Sequence, residues 1–318
     1  GNRVLPGGDA VTRILWHSSE DERIGETAVA LGVFDGVHVG HQTLIRDAVE
    51  TAANEGVSCC VVTFDRDPDQ IVTPDNAAPQ LTTLEDKLAL IGELGPDVIL
   101  VVPFDARLAA VSPESFIDDV LLRMLTPRVV LVGVDFHFGA HAAGDVATLR
   151  ACGARDGFEV VAHELVTREG APVTSTRIRG LVTSGDVAAA ARLLDRPHRL
   201  HGTVAPGRSR GRRLGAPTAN LEFDARMALP GPGVYAARAL HGSTAYRAAV
   251  SVGLPPTYPD AMSLFEAHLL DFTGDLYGST IRVDFVERLG EHRLYDTEDD
   301  LAHAIAGFVA RTRETVAL

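Results

Sequence analysis

Residues 32–41 read Gly32-Val33-Phe34-Asp35-Gly36-Val37-His38-Val39-Gly40-His41, and this decapeptide decides the fold of the chain. It follows an apolar run that predicts a buried strand over 28–34. It leads into 42–53, where Leu44, Ile45, Ala48, Val49 and Ala52 recur at helical spacing. The two histidines therefore fall at a strand-to-helix turn, at the start of a helix. Free backbone N–H groups and the helix dipole favour an anion there, and glycine lets a phosphate approach the backbone. His38 and His41 are three residues apart, so both can face one ligand. Imidazoles in that position suit a phosphate that gains charge during reaction.

Working outward, 28–34, 57–64, 97–102, 129–134 and 158–163 read as strands with helices between them. One helix is predicted over 113–125, with Ser112 as N-cap, Pro113 in its first turn and an apolar stripe of Phe116, Ile117, Val120, Leu121 and Met124. Another is predicted over 84–94 as a surface helix, with a Thr82/Glu85 capping box. Such alternation predicts a doubly wound parallel sheet with ligands at the carboxyl ends of its strands. Near residue 185 the texture changes. Asp186 is placed to cap a short helix, 187–194. Strands then follow at 234–240, 245–252, 265–271 and 280–288, with turn signals at 241–243 and 273–275. Close spacing of this kind predicts a small antiparallel barrel, closed by a helix over 298–312. The expected division is an α/β domain, 1–185, and a barrel domain, 186–318.

Composition narrows the function. A length of 318 residues favours two domains, and 46% hydrophobic content marks a globular chain. No run suits a membrane span, and 1–10 lack the apolar core of a signal peptide. The net charge of −14 argues against a general nucleic-acid binder. Cys59, Cys60 and Cys152 form neither a disulfide framework nor a metal spacing, which fits a reducing cytoplasm. Lys87 is the one lysine and follows no glycine-rich loop, so a Walker A site is excluded.

Four further segments carry chemistry. Thr174-Ser175-Thr176-Arg177-Ile178-Arg179 offers hydroxyls and arginines to a phosphate at a helix start. Val132 to Gly139 reads as a strand end and a loop containing Asp135, Phe136 and His137. Residues 207–220 form a basic, glycine-rich loop leading into Pro217-Thr218-Ala219-Asn220, whose oxygens suit Mg²⁺. In Phe265-Glu266-Ala267-His268-Leu269-Leu270-Asp271-Phe272, alternation puts Glu266 and His268 on one strand face, and a carboxylate there can serve as a general base. Read alone, each is also compatible with an ordinary cap, loop or polar strand face.

Together these segments resemble the bacterial bifunctional riboflavin kinase/FAD synthetase family over roughly 28–312. The decapeptide is similar to the nucleotidylyltransferase signature of its FAD synthetase branch, and 207–220 and 265–272 to the riboflavin kinase signatures. The resemblance implies phosphorylation of riboflavin to FMN and adenylylation of FMN to FAD, with ATP as substrate and Mg²⁺ as cofactor. It implies that His38, His41 and Arg179 act at the adenylyl transfer, and that Gly32, Phe34, Asp35, Gly36, Gly40, Ser175 and Thr176 bind ATP phosphates. In the barrel it implies Glu266 as base, Thr218 and Asn220 as Mg²⁺ ligands, and Gly207, Arg208, Gly211, Arg212 and Gly215 around the phosphates. Asp135, Phe136, Tyr258 and Arg293 are the implied flavin contacts. The chain departs from the family at Asp67, where a His is usual, at His137, where Arg is common, and around Pro255 and Gly290. A transferase for another phosphate acceptor, or an impaired flavin-binding homologue, is the alternative.

Overall fold

The structure, a computed structural model, describes residues 3–7, 10–17, 23–205, 218–253 and 265–318. The chain divides into two compact units, Gly1–Thr174 and Ser175–Leu318.

The first unit is built on a seven-stranded sheet: β1 (Arg3–Gly7), β2 (Ala10–Trp16), β3 (Gly25–Leu31), β4 (Ser58–Phe64), β5 (Val98–Val102), β6 (Leu125–Gly133) and β7 (Glu159–His163). Their order is β1-β2-β5-β4-β3-β6-β7. All neighbours run parallel except β1 against β2. Strand order reverses between β3 and β6, which is where a doubly wound sheet opens a crevice at its carboxyl edge. Helices cover both faces, so the central strands are continuous apolar runs. On one side Ala28 and Ala30 pack against Leu44, Ile45 and Ala48 of α1 (Val39–Glu55). On the other, Val29, Leu31 and Leu100 meet Phe116, Ile117, Leu121 and Leu149. The small alanines let α1 lie close over β3.

Three expectations are corrected. The predicted helix over 113–125 keeps its Ser112 cap, which accepts from the Ser115 amide. It ends early, however: one α-turn (Pro113–Phe116) widens into π-turns (Ile117–Leu122), and Leu125 already pairs with Gly25 in the sheet. Pro127 disfavours helix at Thr126, so the chain turns into β6. The helix expected over 84–94 is α3 (Leu84–Gly92), after a short α2 (Asp69–Val72). Its cap is Thr83, accepting from the Asp86 amide, in place of the Thr82 box. Nor is it solvent-facing at Lys87, which is buried. After β6 come α5 (Val146–Asp156) and a two-stranded ribbon, β8 (Thr167–Arg168) and β9 (Ala171–Pro172), with α4 denoting Pro113–Phe116.

The second unit opens with α6 (Ser175–Ser184) and α7 (Val187–Leu194). Asp186 caps α7 by accepting from the Ala189 amide, as the sequence predicts. Six antiparallel strands then close a barrel: β10 (His198–Ala205), β11 (Ala219–Phe223), β12 (Gly233–His241), β13 (Thr244–Val252), β14 (Phe265–Leu269) and β15 (Thr280–Gly290), in the order β10-β11-β14-β13-β12-β15. Large inward rings, Tyr235, Phe265 and Phe285, alternate with Ala237, Ala239, Ala248 and Ala267 to fill the taper. The sequence reading found β12 to β15 but not β10 and β11. The helix expected after the barrel is α8 (Glu298–Thr315), capped by Thr297, which accepts from the Asp300 amide. Among the described residues no helix is long and apolar enough to cross a membrane.

Candidate active sites

The decapeptide crosses from β3 into α1 at the carboxyl edge, beside the β3/β6 reversal. His38 is the N-cap of α1, and its Nδ1 accepts from the His41 amide at 3.3 Å. Gly40 and His41 thus lie in the first turn. The two imidazoles stack with ring centroids 3.5 Å apart and planes 19° from parallel, and Phe34 meets His41 edge-on at 5.3 Å. Glycine is needed where rings crowd the backbone: a Cβ on Gly32 would come 2.9 Å from the Phe34 ring. Phe34 (φ 56°) and Val37 (φ 40°) hold left-handed conformations that non-glycine residues rarely adopt. This turn is strained and must be held from outside.

Asp35 and Lys87 hold it. The Asp35 carboxylate is 4% exposed. It accepts from the amides of Leu81 (3.0 Å) and Thr82 (3.1 Å) and from the Thr82 hydroxyl (3.2 Å). That hydroxyl also accepts from the Gly36 amide at 3.1 Å. Asp35 therefore clasps the turn to 81–82. Lys87 Nζ donates to the carbonyls of Val33 (3.1 Å) and Phe64 (2.8 Å), tying the ends of β3 and β4. Burial lowers the Lys87 pKa, against the opposing pull of Asp67, Asp35 and Asp65. Sequence reasoning missed this role because a lysine is read as a surface residue. The available signal was its place on the stripe shared with Leu88 and Ile91.

Asp135 and His137 are exposed beyond β6, and His137 Nδ1 lies 2.8 Å from the Asp135 carbonyl. Phe136 stacks on Phe138 at 5.5 Å, at the rim of the core. All three are at the same sheet edge as the histidines. Asp67 is buried just before α2. Ser175, Thr176 and Arg179 fall within the first two turns of α6.

In the barrel, cross-strand register brings three predicted residues together. Asn220 on β11 pairs with Glu266 on β14, and inward Ala267 and Leu221 leave both pointing outward. The Thr218 hydroxyl donates to Glu266 Oε2 at 3.4 Å. Arg293 is exposed after β15, and Gly290 ends that strand, paired with Val234. Gly207, Arg208, Gly211, Arg212, Gly215, Pro255 and Tyr258 lie outside the described residues. Thr218 and Asn220 are hard oxygen donors of the kind Mg²⁺ takes when phosphates complete its shell, so the donor set fits that ion. No cluster of three or more His, Cys, Asp or Glu that could hold a metal occurs among the described residues.

A doubly wound unit with stacked histidines at its ligand edge, joined to a barrel carrying a carboxylate beside hydroxyl and amide donors, defines a two-unit nucleotide-using transferase. Comparison with known proteins is more specific. The FAD synthetase family model matches residues 20–177 and the riboflavin kinase model residues 194–316. A bifunctional riboflavin kinase/FMN adenylyltransferase of Pseudomonas fluorescens is 36% identical over 302 residues, covering 95% of this chain and 96% of its own length. One of Bacillus subtilis is 32% identical, covering 91% and 92%. A solved structure described as a macrolide-efflux protein of Streptococcus pneumoniae superposes with a TM-score of 0.83 at 28% identity, covering 94% of this chain and 98% of that one. The chain belongs to the bifunctional riboflavin kinase/FMN adenylyltransferase family.

Proposed function

We propose that this chain phosphorylates riboflavin to FMN in its barrel and adenylylates FMN to FAD through its α/β half. In the barrel, Glu266 accepts the proton of the terminal ribityl hydroxyl. The oxygen attacks the γ-phosphorus of ATP, and ADP leaves. Thr218 and Asn220 would hold Mg²⁺, which neutralises phosphate charge when bound. The glycine- and arginine-rich segment 207–215 is assigned to the phosphates on its sequence. Most of the rate comes from positioning and charge neutralisation.

In the α/β half, an FMN phosphate oxygen attacks the α-phosphorus of a second ATP, and pyrophosphate leaves. His38 and His41, at the positive end of α1, stabilise the charge that builds on the phosphates. The backbone of Gly32, Phe34, Gly36 and Gly40 offers the close approach this requires. Asp35 acts as a clasp behind the turn. Ser175, Thr176 and Arg179 are assigned to the same reaction on their motif, and the functional division is drawn at 185/186, where the sequence texture changes. Asp135 and Phe136 are the flavin-side candidates of this half, with Tyr258 and Arg293 those of the kinase. Direct in-line transfer needs no covalent enzyme intermediate in either reaction.

The observation that carries the reading is the pair of stacked histidines at the head of α1, beside the β3/β6 reversal. The double variant His38→Ala/His41→Ala should convert riboflavin to FMN normally and make no FAD. Glu266→Ala should do the reverse when FMN is supplied. Loss of both reactions in either folded variant would contradict two separate sites.

A further inference from the structure

The polar row on the barrel continues past Glu266. On the side away from Asn220, Glu266 pairs directly with Ser251 of β13. Ser251 lies between inward Val250 and Val252, so its hydroxyl is on the same outer face as Glu266. Directly paired side chains of this kind have Cβ atoms about 4.5–5.5 Å apart. The row then runs through Val234 on β12 to Gly290 on β15. Two residues beyond, the chain folds back and His292 Nε2 meets Ser251 Oγ at 3.1 Å. Neither residue belongs to the site assigned above.

We propose that Ser251 and His292 are specificity residues of the kinase site and hydrogen-bond the inner hydroxyls of the polyhydroxylated acceptor chain. This rests on the kinase reading. In-line transfer puts acceptor and leaving group on opposite sides of the phosphorus. With Thr218 and Asn220 on the β11 side of Glu266 holding the nucleotide, the acceptor enters from the β13 side, where Ser251 is the next residue in the row. A hydroxyl carries one donor and two acceptor sites, and an imidazole has two nitrogens. The pair therefore keeps hydrogen-bonding capacity for a ligand after its members bond to each other. The apolar residue next in the row, Val234, suits the flavin ring system to which such a chain is attached.

The test compares riboflavin with a flavin bearing a 5-hydroxypentyl chain at the same nitrogen, which keeps the terminal hydroxyl and lacks the inner ones. Wild-type protein, Ser251→Ala, His292→Ala and the conservative His292→Gln are assayed with ATP and Mg²⁺. Each alanine variant should raise KM for riboflavin about tenfold, the size of one lost hydrogen bond, with KM for ATP unchanged. The preference for riboflavin over the hydroxypentyl flavin should shrink by the same factor, and His292→Gln should recover part of it. An unchanged KM for ATP in the kinase reaction, with an unchanged thermal melt by circular dichroism, reports that the barrel is folded. An undiminished preference in both alanine variants overturns the proposal, as does a uniform loss on both flavins. If wild-type protein phosphorylates neither flavin, the kinase reading itself fails, and the proposal with it.

Discussion

Removing the Asp35 carboxylate should unfasten the histidine turn and destabilise the first unit without touching the barrel. In Asp35→Ala, the buried amides of Leu81 and Thr82 lose their common acceptor. Each unsatisfied buried donor costs about 1–3 kcal/mol, so two cost about 4 kcal/mol. With a urea m-value of about 2 kcal/mol/M, the midpoint falls by about 2 M. The chain carries one tryptophan, Trp16, in β2 of the first unit. Its emission therefore follows this unit selectively during urea titration. Asp35→Asn keeps one carbonyl acceptor and should fall by about half as much. FMN adenylylation should drop in step with the loosened turn, while riboflavin phosphorylation stays at the wild-type rate. A Trp16 midpoint moved by less than about 0.5 M in Asp35→Ala, or an equal loss of both activities, would refute the clasp.

Other expectations follow from the same geometry. Lys87→Met leaves the Val33 and Phe64 carbonyls without their donor and the nearby carboxylates without a counter-charge. It should lower the Trp16 midpoint and FAD formation together, by about 3 kcal/mol of stability, with FMN formation unaffected. In the barrel, Asp284 is 1% exposed and bonded to Arg199 at 2.7 Å and Arg238 at 2.9 Å. Burial would raise its pKa, but the guanidinium groups prevail and hold it below the usual carboxylate value. Its contribution is thus complete above the unfolded-state pKa of about 3.9. It is lost as pH falls through the lower folded value. Circular dichroism of Asp284→Asn should show a less stable barrel at neutral pH whose further loss on acidification is smaller than in wild type. Burial pushes the Cys59 thiol up to about 12 and raises Cys60 and Cys152 as well. A thiol reagent at neutral pH should therefore label none of the three until the protein is unfolded.

Much of this was legible in the sequence, for reasons that differ by element. The inner strands β3 to β6 carry apolar runs, such as 28–31, 59–62, 98–102 and 129–132, as expected of strands covered on both faces. The cap at Asp186 and the histidines at the head of α1 follow from local chemistry. The barrel strands β10 and β11 were missed because β10 interleaves Leu200 and Val204 with His201, Gly202 and Thr203, while β11 is five residues long and begins inside the Pro-Thr-Ala-Asn motif. The helix over 113–125 was overextended because its apolar stripe continues into Met124 and Leu125. Pro127 was the contrary signal. Site roles were harder to read than site positions. Asp35 belongs to a phosphate-binding signature, yet its carboxylate faces 81–82, and only the fold shows that. Ser251 and His292 are 41 positions apart and meet only through strand register and the return of the chain after β15.

The central claim is that one chain makes FMN and converts it to FAD. A chromatographic time course of the purified protein with riboflavin, ATP and Mg²⁺ tests it directly. FMN should appear first, with FAD following after a lag that vanishes when FMN is supplied. No FMN from riboflavin and no FAD from supplied FMN would contradict the account and leave a flavin-binding protein without turnover.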